Sequence, residues 1–328
     1  MRVFYVIAAI GAASCGPSHP LELPPPDVRV LYTESGKGDR GFNDSVFTGL
    51  ENATNEFEFR KEEVTPKSEL DAASVLTNWF NAPLDDDSPK LIITVGAPNG
   101  ELVAKRNCDF GGNFVLHIDS LLPACPNERS FRFRVFVSSY LAGVASMRVS
   151  RLMRAGAVAG ADIEPVNEFI RGFRKGVEDG GGEWVKTDYL AANESGFNVP
   201  GDARQAANEI YRAADVIIAP AGASAIGVIE AAKEKPDRYA IGVDSDQNAL
   251  GPNVVIGSIV KRIDEVVRET IADINNGQFV SKSVDLLHAS GYVSFEPAPR
   301  FLGRVEATID EYLVRAAEAA ALDRKAHP

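Results

Sequence analysis

A short segment near the start of the chain carries residue types that suit the binding of a small molecule. Residues 38–44 read Gly-Asp-Arg-Gly-Phe-Asn-Asp and lie between a strand-like run and a helix-like run. An aromatic ring gives a flat molecule a face for stacking, and carboxylate and amide groups can bond hydroxyls and ring nitrogens. Asp39, Phe42 and Asn43 are therefore candidate ligand-binding residues. Their structural alternatives are a turn residue for Asp39, an inward-packing residue for Phe42 and a helix cap for Asn43.

Further polar residues follow other strand-like runs. Asp119 comes directly after Phe114–Ile118, and Asp244 comes directly after Tyr239–Val243. In open α/β sheets, ligands bind in the crevice beyond the carboxyl ends of the strands. These residues, although distant in sequence, are therefore predicted to meet residues 39–43 in one cleft.

The body of the chain alternates short apolar runs with amphipathic stretches, which is typical of βα units around a parallel sheet. The sequence thus predicts an α/β fold with doubly wound sheets. The predicted strands are Val28–Tyr32, Leu91–Val95, Phe114–Ile118, Ala157–Ala159, Val216–Ala219, Tyr239–Val243 and Val254–Ile259. The predicted helices are Ser45–Phe57, one that begins at Ser68, Tyr140–Arg154, Pro165–Val177, Ala203–Ala213 and Lys261–Asn275.

The N-terminus has the features of an export signal. A basic start precedes an apolar run from Val3 to Ala13, which is shorter than the roughly 20 residues that span a bilayer. Small residues then precede Cys15, as in a bacterial lipobox. We predict a signal peptide over 1–14, lipidation of Cys15, and a proline-rich tether over 15–27. The alternative is ordinary secretion with a cleavage site nearby.

The chain has three cysteines, an odd number that lipidation of Cys15 would explain. Cys108 and Cys125 then remain as a pair that an oxidising compartment would allow to bond. Such a disulfide would contribute roughly 3 kcal/mol by the chain-entropy argument. Two free buried thiols are the alternative. The four histidines are scattered and no Cys/His cluster is present, so we expect neither a metal nor a cofactor.

Several function classes are disfavoured. A formal net charge of −12 argues against a nucleic-acid partner. Residues 36–41 match GxGxxG, but charged side chains crowd the loop where a dinucleotide would approach the backbone. Residues 244–248 begin like a calcium loop but lack its turn glycine, and residues 222–224 lack the spacing of a nucleophile elbow. No enzymatic activity is predicted.

The motifs resemble those of a known family, the basic membrane lipoproteins. These are substrate-binding lipoproteins of ABC transporters, and they include purine nucleoside receptors. The opening at Asp39 is similar to the family's D-K-S-F-N segment, and the most specific match is the run 241–247 followed by 258–262. The matching segments, in order, are residues 39–50, 114–119, 140–143, 165–176, 221–229, 241–247 and 258–262.

The resemblance implies a type I periplasmic-binding-protein fold, in which two doubly wound lobes close on a ligand like a hinge. The predicted first lobe contains residues 28–133 and 247–282. The predicted second lobe contains residues 134–246 and 283–328, and several chain crossings form the hinge between them.

The resemblance also implies a nucleoside-like ligand. Phe42 would stack on the base, Asp39 and Asn43 would bond its edge, and Asp119 would add an acceptor. An alternative from a different class of protein is an exported hydrolase that uses Asp39 and Asp119 as paired acid and base groups.

The sugar would lie near the later motifs. Asp244 would accept both ribose hydroxyls, and Lys261 would bond a sugar oxygen or steady Asp244. Their structural alternatives are a loop cap and a surface charge. Gly222 belongs to the matching Ala-Gly segment. Where many family members have an aromatic residue after D-V-I, this chain has Ile218, so Phe197 is the candidate for a second stacking ring.

The resulting hypothesis is a monomeric, lipid-anchored receptor on the outer side of the cell membrane that captures a nucleoside and presents it to an ABC permease. A receptor of the same fold that signals, or that binds another small molecule, is the main alternative.

Overall fold

A computed structural model describes residues 28–82 and 90–327 of the chain. The predicted signal peptide (1–14) and the predicted tether with Cys15 (15–27) lie outside the described residues. None of the described helices is both long and apolar enough to cross a membrane.

The first lobe is built on a six-stranded sheet in which every pairing is parallel. Its spatial order is β2-β1-β3-β4-β5-β11. The central strand β3, Leu-Ile-Ile-Thr-Val, is buried along its whole length, as expected for a parallel strand covered by helices on both faces. The strands of this sheet are β1 Val28–Leu31, β2 Lys61–Val64, β3 Leu91–Val95, β4 Phe114–Ile118, β5 Glu128–Phe133 and β11 Lys282–Leu286.

The second lobe repeats this plan with one difference. Its order is β7-β6-β8-β9-β10-β12, and only the pairing of β12 with β10 is antiparallel. The strands are β6 Arg154–Ala161, β7 Glu183–Ala191, β8 Val216–Ile218, β9 Tyr239–Asp244, β10 Val255–Lys261 and β12 Val293–Pro297.

Helices pack on the sheets through their apolar faces. In the first lobe, α1 packs against α8; in the second, α4 packs against α5 and α9, while α6 packs against α7. The helices are α1 Phe42–Thr54, α2 Glu69–Asn81, α3 Ala97–Ala104, α4 Phe136–Val149, α5 Glu164–Asp179, α6 Pro200–Ile210, α7 Ala225–Lys233, α8 Ile263–Asn275 and α9 Leu302–Ala326.

The chain passes between the sheets after β5, after β10 and after β11. This corrects the predicted lobe boundaries. Strand β10 pairs with β9, so residues 255–261 belong to the second lobe, whereas β11 pairs with β5 and belongs to the first. The predicted segment 247–282 therefore begins too early and ends too soon. A strand belongs to the sheet with which it forms hydrogen bonds, and residue types alone do not specify that partner.

Candidate ligand-binding site

A cavity lies between the two lobes, and we call it the principal cavity. The first lobe contributes segments that follow β1, β3 and β4. The second contributes segments that follow β6, β7 and β8 and the last residues of β9 and β10. The volume of this cavity is about 90 Å³, measured as the space open to the centre of a water molecule. The cavity thus lies at the carboxyl ends of both sheets, where doubly wound folds bind ligands.

The structure brings all of the sequence-predicted ligand-binding residues to this cavity. Each of them lines its wall: Asp39, Phe42, Asn43, Asp119, Phe197, Gly222, Asp244 and Lys261. Cys108 and Cys125, the predicted pair, are joined by a disulfide elsewhere in the first lobe.

A buried group of three charges spans the two lobes. The Nζ of Lys261 lies 2.9 Å from Oδ2 of Asp119 and 3.3 Å from Oδ1 of Asp244. Lys261 ends β10 of the second lobe, and Asp119 follows β4 of the first. All three side chains are buried. Two carboxylates (−2) and one ammonium (+1) give the group a net formal charge of −1. This negative charge favours a ligand that presents hydrogen-bond donors.

Burial and the neighbouring charges together shift the pKa values of Lys261 and Asp244. Burial acts to lower the pKa of Lys261, but Asp119 and Asp244 more than offset this effect and raise it above its ordinary value. Burial raises the pKa of Asp244, and the ammonium of Lys261 opposes that rise. Lys261 therefore stays charged and holds both carboxylates in place.

The two aspartates of this group occupy equivalent positions in the two lobes. Each follows the apolar run of a central strand, and each has left-handed backbone, with φ of 76° at Asp119 and 67° at Asp244. Aspartate tolerates this conformation better than most residues. The sharp bend lets a residue at the strand's end line the cavity.

The loop before α1 is held together by its own polar side chains. Asp39 accepts hydrogen bonds from the backbone N–H groups of Gly41 (3.0 Å), Asn43 (2.8 Å) and Asp44 (3.1 Å). The amide of Asn43 donates to Asp39 and to the hydroxyl of Thr33 (2.9 Å). Asp39 therefore caps the start of α1. Both side chains line the cavity, but most of their bonding capacity is used inside the loop.

Aromatic rings from both lobes line the cavity. Phe42 begins α1 in the first lobe, and Phe197 lies in a short turn after β7 in the second. The Phe197 ring packs on the backbone of Gly160, where an added Cβ would lie 2.3 Å from its Cδ1 atom. An added Cβ at Gly222, which has φ of 54°, would lie 3.2 Å from Cβ of Phe197. Glycines at positions 160 and 222 thus leave the space that Phe197 occupies.

Sequence reasoning missed several residues of the wall, notably Thr33, Ser35, Phe169 and Glu194. The Phe169 ring lies under the ammonium of Lys261, at 5.0 Å from its centroid. Phe169 lies in segment 165–176, which matches a family motif, and that match could have identified it as a candidate. Glu194 follows a strand that the sequence did not predict, so no signal marked it.

Two doubly wound lobes around one interlobar cavity define the type I periplasmic-binding-protein fold, as predicted. A crystal structure of ABC transporter solute-binding proteins from Aeropyrum pernix superposes with a TM-score of 0.76 at 24% identity, covering 92% of this chain and 86% of that one. Residues 28–311 match the family model described as ABC transporter substrate-binding protein, PnrA-like. The chain belongs to this family, Bmp.

Two curated relatives agree with this assignment. Basic membrane protein D of Borreliella burgdorferi is 27% identical over 274 residues, which cover 81% of this chain and 76% of the relative. The ABC transporter nucleoside-binding protein BmpA of Lactococcus lactis is 27% identical over 270 residues, covering 76% of this chain and 75% of the relative. As a substrate-binding component, the chain has a small-molecule ligand and a permease as its partners.

Proposed function

We propose that this protein is a lipid-anchored receptor outside the cell membrane that captures a nucleoside in the principal cavity and delivers it to an ABC permease. The observation that carries this proposal is the combination of two rings from opposite lobes, Phe42 and Phe197, with a buried carboxylate at Asp244. A purine would stack between the rings, and each such contact contributes about 1–3 kcal/mol.

The ribose would bind at the charged group. An ionised carboxylate accepts two donors side by side, which suits the adjacent 2′ and 3′ hydroxyls. Lys261 holds Asp244 in place and supplies a donor for a sugar oxygen. Asp39 and Asn43 have an indirect role in this proposal, because their bonds fix the loop that presents Phe42.

The geometry does not favour the hydrolase alternative. A general acid or base needs a carboxyl group free to exchange a proton with the substrate. Asp119 is bonded to Lys261 at 2.9 Å, and Asp39 is bonded to the N–H groups that begin α1. Both carboxylates are thus engaged in positioning the protein's own groups.

A thermal-unfolding titration tests the ligand class. Ligand that binds only the folded state stabilises it by RT ln(1 + [L]/Kd), or about 2.7 kcal/mol at one hundred times Kd. Purine nucleosides should raise the melting temperature, whereas ribose or free base alone should do so far less. Absence of a shift with every nucleoside would refute the nucleoside proposal and leave the family assignment intact.

Mass spectrometry of the mature protein tests the anchor. We expect a diacylglyceryl-modified cysteine at Cys15. In a separate measurement, light scattering should show that the protein is a monomer. A mature N-terminus that begins elsewhere without lipid would refute the anchor. A Cys15→Ser variant should be released from membranes.

A further inference from the structure

Glu194 lies where the principal cavity meets a smaller neighbouring one, which we call the side cavity. The side cavity is formed by the first lobe beside α2 and α3, with Ser68, Glu69 and Asn99 in its wall. Three residues line both cavities: Thr33, Pro98 and Glu194. Among the described residues that line the side cavity, Glu194 alone comes from the second lobe, so its side chain reaches across the cleft.

The principal cavity consequently has two chemically different ends. Lys261, Asp119 and Asp244 line the principal cavity and do not border the side cavity. Glu194 and Thr33 lie at the junction of the two cavities, which that charged group does not border. A ligand whose sugar binds Asp244 would therefore direct the far edge of its base towards Glu194.

The carboxylate of Glu194 is half-buried and available for a ligand. Within residues 28–82 and 90–327, no hydrogen bond or ion pair involves its oxygens. Burial raises the pKa of Glu194, and the negative charge of Glu34 from the first lobe adds to that rise. By contrast, the carboxylates of Asp39 and Asp119 are already bonded to protein donors.

We propose that Glu194 is a specificity-determining residue that accepts a pair of N–H donors from the edge of the base, so that guanosine is the preferred ligand. This inference rests on the proposed nucleoside function. The guanine edge presents a ring N–H beside an exocyclic amino group, and a carboxylate can accept both in parallel. Inosine lacks the amino group. Adenosine places a ring acceptor where the carboxylate needs a donor, which leaves an acceptor facing an acceptor.

Calorimetric titration of guanosine, inosine and adenosine tests the inference. For the wild type we expect guanosine to bind at least about tenfold more tightly than inosine, which corresponds to the loss of one charge-assisted hydrogen bond. In Glu194→Gln the guanosine-to-inosine ratio should fall to within about threefold, because the amide supplies one neutral acceptor in place of the carboxylate.

Glu69→Gln is the matched control. Glu69 undergoes the same chemical change and lines the side cavity without bordering the principal one. This variant should keep the wild-type ratio. Equal affinity of the wild type for guanosine and inosine would overturn the inference but leave nucleoside binding in place, as would an unchanged ratio in Glu194→Gln. A wild type that binds no nucleoside would overturn the proposed function as well.

Discussion

Asp244 illustrates how one residue can serve both the ligand and the protein. It lies at the end of β9, paired with Lys261, and lines the cavity. We expect Asp244→Ala to weaken nucleoside binding by about 2–3 kcal/mol, because two hydroxyl donors would lose a charged acceptor. Calorimetric titration measures this loss. Because Lys261 keeps its 2.9 Å pairing with Asp119, denaturant unfolding should show a smaller effect on stability than on binding. Asp246→Ala removes an exposed carboxylate two residues on and should keep wild-type affinity. Unchanged affinity in Asp244→Ala would remove it from the site.

Gly160 is expected to control the second stacking ring. A Cβ at this position would lie 2.3 Å from the Phe197 ring, so Gly160→Ala must displace that ring. Loss of its stacking should weaken nucleoside binding by about 1–3 kcal/mol, measured by calorimetry. Gly201→Ala is the matched control, since an added Cβ there meets nothing within 4 Å. Equal affinities in the two variants would show that Phe197 does not contact the ligand.

At the residue scale, the sequence predicted which residues line the principal cavity, but it predicted the role of only some of them. Asp119 and Asp244 could be found because polar residues that follow apolar strands lie at one edge of a sheet. Asp39 and Asn43 are likewise polar residues beyond the end of a strand, but their side chains turn back to bond the loop. Which of the two roles applies depends on the local backbone path, and residue type does not determine it.

At the element scale, the buried strands were the most predictable. The bounds of β3 and β4 agree with the prediction, because continuous apolar runs of strand length have few alternatives. The strands β2, β5, β7, β11 and β12 were missed. All but β5 lie at sheet edges and are partly exposed, so their sequences lack a clear apolar run. β5 is an inner, buried strand, but its sequence Glu-Arg-Ser-Phe-Arg-Phe interrupts the apolar residues with charged ones. The predicted helix Tyr140–Arg154 overlaps α4 but begins one turn late and extends into β6.

His117 on β4 makes stability depend on pH. The ring is fully buried, with its nitrogens 2.8 Å from the hydroxyl of Thr94 and 2.6 Å from that of Ser120. Burial lowers the pKa of His117 to about 3. An unfolded histidine has a pKa of about 6.5, so between these values the unfolded state binds a proton that the folded state does not. His117 therefore contributes stability above pH 6.5 that is lost as pH falls.

The expected slope is about 1.4 kcal/mol of unfolding free energy per pH unit. His117→Gln should be less stable than the wild type at neutral pH. Between pH 6 and 4, the slope of its unfolding free energy against pH should be smaller than that of the wild type by about 1.4 kcal/mol per pH unit. Urea unfolding at several pH values measures the difference. Parallel pH profiles for the wild type and the variant would contradict this account of His117.

At the scale of the whole molecule, direct bonds join the lobes across the cleft. The backbone carbonyl of Arg40, in the first lobe, accepts hydrogen bonds from Oγ of Ser245 (2.8 Å) and Nε2 of Gln247 (3.0 Å) in the second. Lys261 and Asp119 form a second link deeper in the cleft. Neither Ser245 nor Gln247 lines the principal cavity. These two side chains therefore favour the closed arrangement without contacting the ligand.

Ser245→Ala isolates this contribution to closure. Removing one hydrogen bond to Arg40 should make closing less favourable and weaken nucleoside binding by about 0.5–1.5 kcal/mol, although no ligand contact is lost. Calorimetry measures the affinity, and small-angle scattering should show a larger radius of gyration for the variant. Thr48→Ala removes a hydroxyl that bonds a carbonyl within the first lobe, and it should change neither quantity. An unchanged affinity in Ser245→Ala would mean that ligand contacts and the Lys261–Asp119 link are sufficient to keep the lobes closed.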